Sequence, residues 1–163
     1  MTIKVGDTLP NATLLVFDEN GPATVELADK LKGRNVVIFG LPGAYTRTCS
    51  AAHVPSFIAA HDDLKAKGVD EVICIAVNDP FVMAAWSRDT GAGAAGIAML
   101  GDPESTFTKA IGMEFSFAPL GFVNRSKRYS LYAEDGVVKV FNPEPEGGGC
   151  EISAGQTMVA QIG

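Results

Sequence analysis

The sequence predicts an α/β three-layer sandwich built on a central mixed β-sheet. Three observations carry this. Residues 35–40, 71–78 and 96–100 are apolar runs with no alternation, the composition of strands buried on both faces. Segments with helical character lie between them, which is the order of a parallel sheet with covering helices. Later, Glu134-Asp135-Gly136 joins two further apolar runs, and Asp-Gly in that setting is a hairpin signal that adds antiparallel strands. No repeat, linker or composition break divides the chain, so residues 1–163 are read as one domain.

Taken in order, residues 11–18 form a strand, residues 19–22 turn at Gly21-Pro22, and residues 23–27 pair back as an N-terminal β-hairpin. Residues 28–32 make one helical turn, stopped by Gly33. The 35–40 strand follows, then a Leu41-Pro42-Gly43 turn and a helix-forming segment with Cys49 near its start. Pro55 is expected to break or kink that segment, with helix resuming over 56–67. After the 71–78 strand, Asn78-Asp79-Pro80 opens a helix with a side-chain cap and proline in its first turn. Asp102-Pro103 repeats the device after the 96–100 strand, for a helix ending near residue 111. Residues 128–133 and 137–141 are the late hairpin, and residues 153–162 are a final helix.

Composition excludes several classes of function. Nearly half the residues are apolar and 20% are charged, a globular balance. The net charge of −6 argues against a nucleic-acid partner. The apolar runs are far below the roughly 20 residues that span a bilayer, so no membrane partner is expected. Residues 1–7 lack the apolar core of a secretory signal. Three unevenly spaced cysteines are not a disulfide framework. The expected setting is therefore reducing and cytoplasmic, where a cysteine is more often catalytic than structural.

Cys49 is the first chemical candidate. A free cysteine can be a small buried hydrophobe. This one follows a Pro-Gly turn, stands among Thr46, Arg47 and Thr48, and falls in the first turn of a helix leaving a strand. First-turn N–H groups lack intrahelical partners and carry the positive end of the helix dipole. Both favour the thiolate, the reactive form of cysteine.

Pro42-Gly43-Ala44-Tyr45-Thr46-Arg47-Thr48-Cys49 resembles the Pro-x-x-x-Thr-x-x-Cys signature of peroxiredoxins. The segments 50–57, 74–83 and 125–130 are similar to the type II, or peroxiredoxin-5-like, subfamily. The resemblance implies a thioredoxin-like fold, a homodimer, and a thiol peroxidase acting on hydrogen peroxide or organic hydroperoxides without metal or other cofactor. It implies Cys49 as the peroxidatic nucleophile, forming a sulfenic acid. Thr46 would offer its hydroxyl to the substrate, Pro42 would shape the pocket, and Arg128 would hold thiolate and substrate. Otherwise Arg128 is a surface cation in the run Arg125-Ser126-Lys127-Arg128. The subfamily commonly has proline where this chain has Arg47.

Recycling is open. Cys74, 25 positions after Cys49, is either a core residue or a resolving cysteine. Cys150 follows Gly147-Gly148-Gly149 and is the other intramolecular possibility. An external thiol, glutathione with glutaredoxin or thioredoxin, is the third and is favoured. The rival to an enzyme is a thioredoxin-like redox sensor whose oxidised Cys49 signals to a partner.

The remaining features are weaker. His53 lies four residues after Cys49 on the same helical face. It reads as a packing or dimer contact, or as a base for the thiol; zinc would need more ligands. His61 reads as a solvated helix residue, and Phe81 and Trp86 as core or dimer surface. Gly91-Ala92-Gly93-Ala94-Ala95-Gly96 matches G-x-G-x-x-G, but helix precedes it and strand follows, the reverse of a dinucleotide site.

Overall fold

The computed structural model describes the backbone of residues 1–163 and all side chains except those of Cys49 and Ser50. The elements are β1 (Thr13–Asp18), β2 (Gly21–Glu26), α1 (Leu27–Leu31) and β3 (Asn35–Gly40), then a π-helical turn (Cys49–His53) leading into α2 (Val54–Ala66). There follow β4 (Glu71–Ala76), α3 (Pro80–Thr90), β5 (Ile97–Gly101), α4 (Thr106–Ala110), β6 (Glu114–Phe117), β7 (Phe122–Ser126), β8 (Tyr129–Glu134), β9 (Val137–Pro143) and α5 (Gly155–Gln161).

Seven of these strands form one sheet in the order β2-β1-β5-β4-β3-β8-β9. β3, β4 and β5 run parallel, and β8 and β9 extend that centre antiparallel on one side. The N-terminal hairpin β1–β2 joins the other side through Leu15 opposite Gly101. Alternation along β3 divides the core between two faces. Val37 and Phe39 pack with Phe57 of α2, Trp86 of α3 and Met158 of α5, while Val36 and Ile38 pack with Leu27 of α1 and Phe107 of α4. This is the expected three-layer, mixed-sheet sandwich.

α5 lies close on α2. A Cβ on Gly155 would stand 2.5 Å from the Ser56 carbonyl oxygen, so only glycine permits this approach. The Gly155 N–H donates to Ser56 Oγ at 3.1 Å.

Several expectations need correction. Pro55 does not break the helix. It occupies the first turn of α2, where a missing N–H costs little, and the irregularity falls just before it in the π-helical turn. Asp102-Pro103 does not start a helix. Ser105 adopts φ 60°, helix begins only at Thr106, and it spans five residues. The Asp102 carboxylate instead accepts from Thr108 N and Thr108 Oγ1, at 2.9 and 2.8 Å. The hairpin β6–β7 was not predicted; it stands apart from the main sheet, and its residues, nearly all exposed or half-buried, lack period-two patterning. His61 is not solvated. Its side chain is 13% exposed and packs over Gly96. Trp86 is wholly buried, whereas Phe81 is exposed against Phe17. Residues 91–96 form the turn between α3 and β5, as the reversed context required. Among the described residues, no helix is long and apolar enough to cross a membrane.

Candidate active site

The site is built on the carboxyl end of β3. Gly40 closes the strand opposite Tyr129, and the chain turns at Pro42-Gly43. Three distant elements hold the loop that follows. From β7, Arg125 Nη1 donates to the Pro42 carbonyl at 3.0 Å. Just after β4, Asn78 Oδ1 accepts from the Ala44 N–H at 2.9 Å. From α3, Asp89 Oδ2 accepts from the Tyr45 hydroxyl at 2.7 Å, which raises the Tyr45 pKa. Tyr45 itself sits at φ 65°, left-handed backbone that few non-glycine residues adopt. Thr46 Oγ1 donates to the Gly43 carbonyl at 2.8 Å and so closes the loop on itself.

Cys49 opens the π-helical turn seven positions after Pro42. Its backbone is therefore at the start of the helical run, as expected. Its side chain, on which the thiolate reading falls, lies outside the described residues. Arg47 and Thr48 are exposed.

His53 ends that turn and is completely buried. Its ring meets Phe39 and Phe57 edge-on, with centroids 5.2 and 5.6 Å away. Arg128 Nη1 stands 3.1 Å from His53 Nδ1, and the Ser153 carbonyl oxygen stands 3.1 Å from Nε2. Guanidinium can only donate and a carbonyl can only accept, so Nδ1 is bare and Nε2 carries the proton. Burial, and then the Arg128 charge, push the His53 pKa down to about 3. The imidazole is neutral with both nitrogens occupied, which leaves no lone pair to act as a base for Cys49. Packing, the other expectation, holds, but the link to Arg128 was not foreseen.

Arg128 is half-buried, not a free surface cation. It reaches the site from the connection before β8. Pro42 and Arg128, far apart in sequence, line one cleft of about 530 Å³ with Phe115, Phe117 and Lys127. Residues 144–148 form its remaining wall. Cys150 follows this wall and is partly exposed. Cys74 has no exposure and sits in mid-sheet, between Phe39 of β3 and Met99 of β5. A disulfide from Cys74 would require it to leave the core. Among the described residues, no group of three His, Cys, Asp or Glu side chains stands close enough to hold a metal.

Arg125, Asn78, Glu144 and Ser153 belong to the site but were missed. Arg125 lies in a basic run that the sequence cannot sort into buried and exposed members. Gly43 was the available signal. A Cβ there would meet Arg125 Nη1 at 2.2 Å, so the glycine of the Pro-Gly turn marks a close approach.

The sequence matches the Redoxin family over residues 4–158. It is similar to Peroxiredoxin-2E-2, chloroplastic, of Oryza sativa subsp. japonica, with 46% identity over 165 residues that cover 99% of this chain and 73% of that one. Peroxiredoxin-2D of Arabidopsis thaliana is 39% identical over 161 residues, covering 98% of both chains. Among solved structures, that of reduced Prx3 in complex with H2O2 from Vibrio vulnificus superposes with a TM-score of 0.93 at 41% identity, covering 99% of this chain and 100% of that one.

Proposed function

Because the chain belongs to the peroxiredoxin family of thiol peroxidases, we propose that Cys49 is its peroxidatic nucleophile, with Thr46, Pro42 and Arg128 completing the site. The observation that carries this reading is the convergence of Pro42 and Arg128 on one cleft beside the turn that Cys49 opens. The family resemblance had named these residues from separate segments.

The Cys49 thiolate attacks the terminal oxygen of hydrogen peroxide or an organic hydroperoxide. An S–O bond forms, the O–O bond breaks, and the departing alkoxide or hydroxide takes a proton to leave as alcohol or water. Cysteine is oxidised to sulfenic acid and the peroxide is reduced. Charge develops on the departing oxygen, where the Arg128 guanidinium and first-turn N–H groups stabilise it; one such donor is worth about 10²–10³ in rate. Thr46 takes a revised part. Its single proton is given to the Gly43 carbonyl, so its lone pairs accept from the peroxide O–H instead of donating to it.

An external thiol then displaces water from the sulfenic acid to give a mixed disulfide, and a second thiol releases Cys49. Glutathione with glutaredoxin is the favoured reductant, and thioredoxin the other. The buried position of Cys74 supports an external partner. Cys150, on the loop beside the cleft, is the intramolecular competitor. The unit is the whole chain, residues 1–163, working as a homodimer in the cytoplasm. Dimerisation rests on the subfamily resemblance, and the compartment on three cysteines outside any disulfide framework.

Peroxide loss in the presence of dithiothreitol, or of glutathione plus glutaredoxin, tests the reading. Turnover is expected in the wild type and absent in Cys49→Ser. Oxidation by one equivalent of peroxide without turnover would favour the sensor. Mass spectrometry after that single equivalent is expected to find sulfenic acid and no Cys49–Cys150 disulfide.

A further inference from the structure

Four residues close a hydrogen-bonded circuit beside the cleft. Arg128 Nη1 donates to His53 Nδ1 at 3.1 Å. His53 Nε2–H donates to the Ser153 carbonyl at 3.1 Å. Ser153 N and Oγ donate to Glu144 Oε1 at 2.7 and 3.0 Å. The Glu144 N–H returns to the Arg128 carbonyl at 2.9 Å. We infer that His53 is a positioning residue, one that fixes the Arg128 guanidinium over the site and ties it to the loop of residues 144–153 that carries Cys150.

The argument is one of geometry. A long arginine side chain loses much rotamer freedom when fixed, so a rigid partner matters most. His53 is such a partner, since it is wholly buried and wedged edge-on against Phe39 and Phe57. A charged partner such as a carboxylate would neutralise the guanidinium. Neutral imidazole accepts one N–H without setting a negative charge against the guanidinium. The same ring fixes both ends of the connection, because its other nitrogen is the only ring atom that can hold the Ser153 carbonyl. The position of Arg128 and the docking of the 144–153 loop are therefore coupled through one side chain. His53 acts at a distance; it is not assigned contact with the substrate.

This inference rests on the role proposed for Arg128, and the test separates the two. Single-turnover oxidation of Cys49 by hydrogen peroxide is measured by quenching and thiol alkylation. Arg128→Ala is expected to slow the step at least 10-fold. His53→Leu, which removes both hydrogen bonds, is expected to slow it by a similar factor. His53→Asn, whose amide oxygen can accept from Arg128, should restore most of the rate. The double variant His53→Leu/Arg128→Ala should be no slower than Arg128→Ala alone. Additive losses would overturn the inference, because His53 would then act by a separate route. A normal rate in Arg128→Ala would overturn the role of Arg128 itself. Should His53→Leu fail to fold, the imidazole ¹⁵N shifts of the wild-type protein decide: the Nε2–H tautomer supports the circuit, and the Nδ1–H tautomer overturns it.

Discussion

Gly40 and Tyr129 face each other across the β3–β8 pairing, and a Cβ on Gly40 would stand 2.2 Å from Tyr129 Cε1. Tyr129 is fully buried, so its ring has nowhere to retreat. Gly40→Ala is expected to lower stability by about 1–3 kcal/mol, the usual cost of overpacking a core. Urea unfolding measures it. Gly149→Ala, at a position open to solvent, should stay within about 0.5 kcal/mol of wild type.

Gly43 presents the opposite case. Its added Cβ would meet the tip of Arg125, a flexible side chain that can swing away, at the loss of its bond to the Pro42 carbonyl. Gly43 also sits at φ 154°, where a side chain strains the backbone, so Gly43→Ala should lower stability by about 1 kcal/mol or more while peroxide oxidation slows about 10- to 100-fold, the scale of a small misplacement at a reacting centre. Arg125→Met, which keeps the glycine, should slow oxidation by a similar factor and unfold near the wild-type midpoint. An unchanged rate in both variants would separate Arg125 from the site.

Thr46 is best tested by two substitutions. Thr46→Ser keeps an oxygen that can bond the Gly43 carbonyl and accept from substrate, and should hold the rate within about tenfold. Thr46→Val matches the shape but lacks both functions, and should lose about 10²–10³. Equal rates in the two variants would reduce Thr46 to a packing residue.

His53 makes stability depend on pH. In the unfolded chain it titrates near 6.5, whereas in the fold burial and Arg128 bring it to about 3. Between those values the unfolded state binds a proton that the native state refuses. Stability is therefore complete above pH 6.5 and falls as pH drops, by up to about 5 kcal/mol near pH 3. Arg128 faces the ring directly and Glu144 through Ser153; the first opposes protonation. His53→Asn should flatten this part of the curve, whereas parallel curves would contradict the assignment.

What the sequence reveals depends on the distance over which each feature is determined. β3, β4 and β5 were legible because unbroken apolar runs between helical segments admit few arrangements. The start of α3 was legible because Asp79 caps it locally, accepting from the Val82 N–H. The Asp102-Pro103 start failed because Ser105, at φ 60°, delays the helix to Thr106, and the Asp102 carboxylate reaches the N–H groups of Phe107 and Thr108 from before that turn. Likewise, β6–β7 was missed because its short strands carry no periodicity. Cys49, Thr46 and Pro42 lie in one short motif. Arg125, Asn78 and Ser153 join the site only through folding, and no spacing announces them.

The contact of α5 on α2 has a consequence for biosynthesis. Ser153 and Gly155 touch His53 and Ser56 from about 100 positions later in the chain. The cysteine-bearing turn thus emerges from the ribosome long before its supports. Until Ser153 and Gly155 are translated, a nascent chain holds Cys49 without its final scaffold, and loss of those residues leaves it permanently in that condition.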